Sequence, residues 1–317
     1  MNCWHHDEGQ DLDVLGTQEM GISVRRRGAE VVSLRWRNPE GEVLGLLWRD
    51  GDLADPPRFW KSHAPILFPA VGGLHDNQSR CTTGEEVRFP GLHGFLRRLP
   101  MDLAEVAVDQ GRLVYRRDWD PETLAMYPWR FRFQVAYRLE GRSLEVVLSV
   151  TNHDTRPMPF QVGWHPGFRL PLRPGAGTKA DCRLTVPEEV WRLGNDDRCF
   201  LDGTRWPLPG GRLVLAEEEW DRTCMLDFSA VPPDRRVVAI QDPDGAMGIE
   251  VAFPDMPHLG LWSDAGAPFA CIEPWQGMDD HVVQEPFDQK VGIVMLPPGA
   301  TTDRHVRVQV WAGPPAP

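Results

Sequence analysis

Glu273 stands in FACIEPWQGMDD, the stretch from Phe269 to Asp280, after the apolar run Phe269-Ala270-Cys271-Ile272 and before Pro274-Trp275. This placement predicts a carboxylate at the end of a buried strand, where the chain turns under an indole. A carboxyl group partly withdrawn from water has its pKa pushed upward, toward the range of a general base working near neutral pH. A structural Glu–Arg pair at a strand end would look the same in sequence. Trp164-His165-Pro166-Gly167-Phe168 adds a second group, a histidine between aromatics and just before a Pro-Gly turn. In so rigid and half-apolar a setting a sugar ring can stack and a proton donor can be held. Glu273 and His165 are therefore the candidate base and acid for one small molecule, with Trp164 and Trp275 as neighbouring indole faces.

Other chemistries find less support. No GxxxxGK[ST] or GxGxxG follows a strand pattern, and no GxSxG elbow occurs, so neither a phosphate cradle nor a serine nucleophile is indicated. His63, His75, His93, His165, His258 and His281 are singletons without H-x-H or H-E-x-x-H spacing, which disfavours a metal centre and a cupin. Cys3, His5 and His6 lie in a polar stretch read as a flexible tail over residues 1–15, which offers a metal no preorganised geometry. A carboxylate pair of the glycosidase kind could combine Glu273 with Asp221, Asp279 or Asp280. It remains a minor reading.

The elements that must position these residues read as strands. Residues 21–48 divide into three short β-rich runs, at Arg27-Gly28 and at Asn38-Pro39-Glu40-Gly41. Phe131, Phe133, Val135 and Tyr137 alternate with Arg132, Gln134, Ala136 and Arg138, the period of a strand with one buried face. Similar runs recur to the end of the chain, among them RLTVPEEVWRL, GRLVLAEEEW, GIEVAFP and HVRVQVW, and only DPETLAMYP looks helical. Many short strands between Gly/Pro turns predict an all-β sandwich or barrel. No composition break or fixed-period repeat appears, so one domain over residues 1–317 is expected. The irregular segment from Trp60 to Arg97, clipped by prolines around Pro65-Ile66-Leu67-Phe68-Pro69 and freed at Gly72-Gly73, is expected to wall a pocket. It carries His93, which taken alone is more often a packed histidine than a ligand, and Arg97.

Composition narrows the partners. Across 317 residues, 34 Lys+Arg against 46 Asp+Glu give a net charge of -12, which argues against binding nucleic acid or anionic membrane by field alone. No apolar run reaches the length of a membrane helix, and the first residues carry no signal pattern, so a cytoplasmic location is expected. The six cysteines form no CxxC pair and read as reduced thiols. Thirteen tryptophans against three tyrosines supply flat apolar faces of the kind that stack on sugars, though most belong in a core.

Taken in order, PILFPAVGGL, LHGFLR with His93 and Arg97, GWHPGF with His165, and CIEPWQGMDD with Glu273 resemble the aldose 1-epimerase (mutarotase) superfamily, over about Gly21 to Trp311. The likeness is to the branch with HGF, HP-x-F and EPW motifs. The resemblance implies a β-supersandwich with few short helices, an aldohexose as small-molecule partner, no cofactor and no metal. It further implies Glu273 as base, His165 as acid, and His93 hydrogen-bonding the sugar. The Asp of Trp220-Asp221-Arg222 looks like the family's substrate-binding aspartate, with Asp227 in the same stretch.

For the reaction implied, His165 must be charged when sugar binds, and a nearby carboxylate is expected to raise its pKa. The alternatives are a noncatalytic carbohydrate-binding protein on the same fold and a hexose-6-phosphate mutarotase. A phosphate would call on Arg58, Lys61, Arg80 or Arg97. No two of these cluster tightly in sequence and Arg58 follows Pro-Pro, so a neutral aldose is the expectation.

Overall fold

The computed structural model describes residues 2–49, 58–216 and 222–313. Its elements are strands in antiparallel sheets of five, nine and eight strands, with two further two-stranded ladders. This is the expected β-supersandwich. Among the described residues the α-helical turn is Pro121–Met126, within the DPETLAMYP stretch. Asp120 caps it, accepting from Thr123 N–H at 2.8 Å while the Thr123 hydroxyl accepts from Asp120 N–H at 2.9 Å.

The three runs expected between Gly21 and Trp48 are Met20–Arg25, Glu30–Arg37 and Val43–Gly45. The polar stretch before them is not a loose tail. Cys3–Asp7 pairs with Leu12–Gly16, which in turn pairs with Met20–Arg25. Leu12 and Leu15 enter the interior. Asp13, fully buried, is held by Arg26 at 2.9 and 3.0 Å, by the Tyr115 hydroxyl at 3.1 Å and by His6 at 3.0 Å. A buried carboxylate with this many partners ties the segment down, and its two-residue polar spacing disguised that in the sequence.

The nine-stranded sheet carries the amphipathic pattern. Phe131–Glu140, between Ser143–Asn152 and Arg112–Asp118, alternates strictly, with Phe131, Phe133, Val135, Tyr137 and Leu139 buried. GRLVLAEEEW contributes less than expected: Arg212–Leu213 pairs, and residues 217–221 lie outside the described ones. A single cluster of buried side chains, from Leu15 to Val310, draws on all three large sheets. Contacts such as Phe68 on Phe131, ring centroids 5.1 Å apart, and Tyr137 O–H donating to Ala29 O at 2.6 Å, join them.

The eight-stranded sheet differs because its central strand, Phe269–Gln276, is buried on both faces. Ala270 and Ile272 point into the main core. The alternate residues Phe269 and Cys271 join an aromatic cluster with Trp48, Phe59, Trp60 and Trp262, and Trp275 joins another. Glu273 shares their face.

Candidate active site

Glu273 sits in the middle of its strand, not at the end expected from the sequence. The neighbouring strand is what ends. Gly167–Arg169 pairs with Phe269 to Cys271, and Val162–Trp164 pairs with Trp275 and Gln276, so the edge breaks opposite Glu273 at His165-Pro166. The break also accommodates Pro274, which has no N–H to donate. On the other side Glu273 faces Gly260, where a Cβ would come within 2.5 Å of the Trp275 ring. Glycine there lets the indole lie beside the carboxyl group.

His165 Nε2 and Glu273 Oε2 are 3.1 Å apart, and both side chains are almost fully buried. Neither Glu273 oxygen makes a well-formed hydrogen bond, nor do His165 Nδ1 and the Trp275 indole nitrogen. Burial pushes the Glu273 carboxyl well above its usual range, and nearby Asp279 pushes it further. Burial also pulls the His165 imidazole down to about 3, with the Arg97 charge acting in the same direction. The expectation that the carboxylate would raise the His165 pKa is thus reversed. Loss of water outweighs the ion pair, and both shifts act toward a neutral pair with its one proton on Glu273.

His93 completes the centre. Its Nδ1 accepts from Gly72 N–H at 2.9 Å, which places its proton on Nε2, and burial keeps the ring neutral by lowering its pKa well below the usual value. The backbone around it is specialised. His93 adopts φ +67° and Gly72 the same φ, and a Cβ on Gly72 would fall 2.2 Å from the Asp279 carboxyl carbon. Asp279 accepts from Gly73 N–H at 2.6 Å, and its carboxyl is raised by burial to about 7.

These groups open on a cavity of about 360 Å³ lined by Trp60, Gly72, His93, Arg97, His165, Trp262, Glu273, Trp275 and Asp279, with Arg198, Cys199 and Thr223 farther round. Trp60 stacks on His165, centroids 4.8 Å apart, and Trp262 meets the same ring edge-on at 6.2 Å. Indole faces beside polar groups suit a ligand that is apolar on its C–H faces and hydroxylated at its edge.

Of the residues singled out in sequence, Glu273, His165, His93, Arg97 and Trp275 converge here. Trp164 does not: it is fully buried in the main core, and its indole N–H donates to Ala64 O at 3.1 Å. Strand alternation puts it on the face opposite the cavity. Asp221 lies outside the described residues. Asp280, a candidate partner for Glu273, is instead committed to Lys290 and His75, while Asp279 is in the site. Trp60 and Trp262 went unsingled. Trp60 at least opens the irregular segment expected to wall a pocket. The donor atoms of His93, His165 and Glu273 lie within 4.8 Å of one another, a trio that sequence spacing did not suggest and that could by donor type hold a cation. Arg97, whose charge acts on both His165 and Glu273, opposes a second positive charge there.

The fold is an antiparallel β-supersandwich with a buried carboxyl–imidazole pair beside indoles. A profile of the aldose 1-epimerase family matches residues 13–309, and the chain belongs to that family. It is 30% identical over 281 residues to the plasmid-encoded protein LacX of Lactococcus lactis subsp. lactis, covering 83% of this chain and 87% of that protein. Among solved structures, a galactose mutarotase-like protein from Lactobacillus casei ATCC 334 superposes with TM-score 0.82 at 27% identity, covering 95% of this chain and all of that one (100%). A galactose mutarotase related enzyme from Lactobacillus acidophilus shares the fold with TM-score 0.83 at 24% identity, over 99% of both chains. No helix among the described residues is long and apolar enough to cross a membrane.

Proposed function

We propose that the protein interconverts the α and β anomers of an aldohexose, with Glu273 as base and His165 as acid. The observation that carries this reading is the buried pair, 3.1 Å apart and short of hydrogen bonds, facing an indole-walled cavity. Buried polar atoms without partners are rare in folded proteins, and a ligand that satisfies them accounts for their retention.

Ring opening requires one base and one acid. Glu273 takes the proton of the anomeric hydroxyl, the bond from C1 to the ring oxygen breaks, and His165 delivers its proton to that oxygen. The product is the free aldehyde. After rotation about C1–C2 the transfers reverse, closing the ring on the other face of C1. The pair holds one proton before and after the whole cycle, so none need be exchanged with water. In the protein alone that proton rests on Glu273. Hydroxyl groups of a bound sugar supply the donors that Glu273 lacks, which favours the carboxylate and moves the proton to His165. His93 Nε2–H donates to a sugar oxygen, and the indoles hold the ring. Each proton transfer of this kind contributes ~10²–10⁴ in rate, and fixed orientation adds to it. No cofactor is called for by this chemistry.

The test is anomer exchange on glucose and galactose, followed by polarimetry or by magnetisation-transfer NMR. Exchange faster than the uncatalysed rate, lost in Glu273→Gln, supports the reading. Saturable sugar binding without any exchange would replace it with a noncatalytic carbohydrate-binding protein.

A further inference from the structure

The backbone from Val71 to His75, on one wall of the cavity, is held by a row of side-chain acceptors. Val71 N–H donates to Gln161 Oε1 at 3.1 Å, Gly72 N–H to His93 Nδ1 at 2.9 Å, Gly73 N–H to Asp279 Oδ1 at 2.6 Å and His75 N–H to Asp280 Oδ2 at 2.9 Å. Gln161 spends its amide N–H groups on Met278 O and Val291 O, and Asp280 has Lys290 and Gln284 as further partners. Asp279 is less fully used. One of its oxygens takes the Gly73 N–H, and among the described residues no donor from another residue reaches Oδ2. Holding Gly73 calls for a single acceptor, which an asparagine would supply without a second carboxylate oxygen to withdraw from water.

That second oxygen stands where a ligand can reach it. A Cβ on Gly72 would fall 2.3 Å from Oδ2 and 2.4 Å from Oδ1, so the carboxyl group occupies the space that a side chain at residue 72 would fill, and both residues line the cavity of about 360 Å³. The Asp279 charge acts on Glu273 and also on the Cys199 thiol, which places it between the acid–base pair and the part of the wall formed by Arg198, Cys199 and Thr223. Burial raises the carboxyl to about 7, a penalty that the Gly73 N–H and the Lys290 charge offset only in part.

We propose that Asp279 is a specificity-determining residue, whose Oδ2 accepts a hydrogen bond from a hydroxyl of the aldohexose other than the anomeric one. The inference rests on the anomerase reading and adds a contact to it. Glu273 engages the anomeric hydroxyl, so the hydroxyl taken by Asp279 belongs to another carbon. A hydrogen bond to a carboxylate is among the stronger ones, and a site built to accept a hydroxyl rejects the analogue that lacks it, because the buried oxygen is then left bare.

The experiment is a cycle of variant against substrate. Catalysed anomer exchange is measured for glucose and its 2-, 3-, 4- and 6-deoxy analogues, or for the galactose set where galactose is the better substrate, in wild type and in Asp279→Asn. The variant keeps an acceptor for Gly73 N–H and puts an amide NH2 where Oδ2 stood, and the ratio of the two proteins on each sugar cancels the sugars' differing intrinsic reactivity. The expected result is that Asp279→Asn lowers kcat/KM about tenfold or more on the parent sugar and less than about twofold on one deoxy analogue. A merely structural role lowers all five by the same factor, so a uniform loss, or none, overturns the inference and leaves the anomerase reading standing. A wild type that turns over all four deoxy sugars as well as the parent overturns it too. If Asp279→Asn does not fold, Gly72→Ala, whose Cβ displaces the same carboxyl group, takes its place in the cycle with the same outcomes. If no sugar is anomerised the anomerase reading fails, and the cycle is run on dissociation constants by calorimetry: a loss confined to sugars carrying one particular hydroxyl supports the contact, and a uniform loss or no binding overturns it.

Discussion

Two buried acid–base pairs lie close together in this protein, and they are built differently. Asp280 and Lys290 are both almost fully buried and in direct contact. Asp280 also accepts from His75 N–H at 2.9 Å and from Gln284 at 3.3 Å. Glu273 and His165 are as deeply buried, yet the carboxyl oxygens and His165 Nδ1 lack well-formed hydrogen bonds. Burial therefore does not by itself mark a site. Asp280 and Lys290 have their partners within the fold, as a structural pair must. Glu273 and His165 face a cavity with their hydrogen-bonding capacity unspent, which is what a ligand can use.

The largest contrast is expected from Glu273→Gln. The amide cannot accept the anomeric proton, so turnover should fall by ~10²–10⁴. Stability should move the other way. The folded pKa of Glu273 is raised above its usual 4.5, so the native protein keeps this proton while the unfolded chain has lost it, and above pH 4.5 stability falls as pH rises. The variant escapes that penalty, and its advantage in chemical denaturation should grow from pH 5 to pH 8. Near-normal turnover would remove Glu273 from the mechanism and erase the contrast.

Breaking the other pair should do the opposite. Lys290→Met leaves Asp280 buried without its counter-charge, and removing one partner of such a pair costs ~3–5 kcal/mol. A lowered unfolding midpoint with measurable turnover in the folded protein is expected. Replacing both partners, Asp280→Leu with Lys290→Met, should recover part of the loss. A Lys290→Met protein of unchanged stability would show that the hydrogen bonds to His75 and Gln284 suffice.

His165 gives a smaller, pH-dependent effect. Its folded pKa, about 3, lies below the usual 6.5, so as pH falls through 6.5 the unfolded chain takes up a proton that the native protein refuses. Stability is lost over that window with a slope of about 1.4 kcal/mol per pH unit for one proton. His165→Asn should flatten the acid limb. His258, lowered by burial to about 4, acts in the same sense and leaves some slope in the variant. An acid limb unchanged by the substitution would mean that His165 is charged in the folded protein, as the sequence suggested.

The contrast also explains what could be read in advance. Strand content followed from period-two patterns such as Phe131 to Leu139, because a sheet with one exposed face writes its geometry into the alternation. Glu273 and His165 were visible because each stands as a polar residue inside an apolar run. Trp164 was misplaced because local sequence does not say which face of a doubly buried sheet meets the cavity. A cavity of about 870 Å³ lined by Arg25, Arg27, Arg58, Lys61, Arg97 and Arg98 was hidden for a related reason: Arg25, Arg58 and Arg97 come from separate segments that only the fold brings together. The direction of the His165 shift depended on how much water the finished site excludes, which no spacing encodes. The hairpin Cys3–Asp7 with Leu12–Gly16 was hidden by a polar composition whose one buried carboxylate is fully partnered.

The smallest expected effect is none at all. His93, His165 and Glu273 bring one nitrogen or oxygen donor each within 4.8 Å, the composition of a two-histidine, one-carboxylate metal set. Two features set it apart from a metal centre. Arg97 already places a positive charge against both His165 and Glu273, and burial pushes Glu273 toward its protonated form, whereas a ligating carboxylate must be ionised. The reaction proposed here moves protons between oxygens and needs no Lewis acid. Anomer exchange should therefore be unchanged after dialysis against EDTA, and added zinc or manganese should not raise it. Loss of exchange on chelation, restored by one metal and accompanied by that metal's stoichiometric recovery from the purified protein, would turn the pair from a proton shuttle into a ligand set.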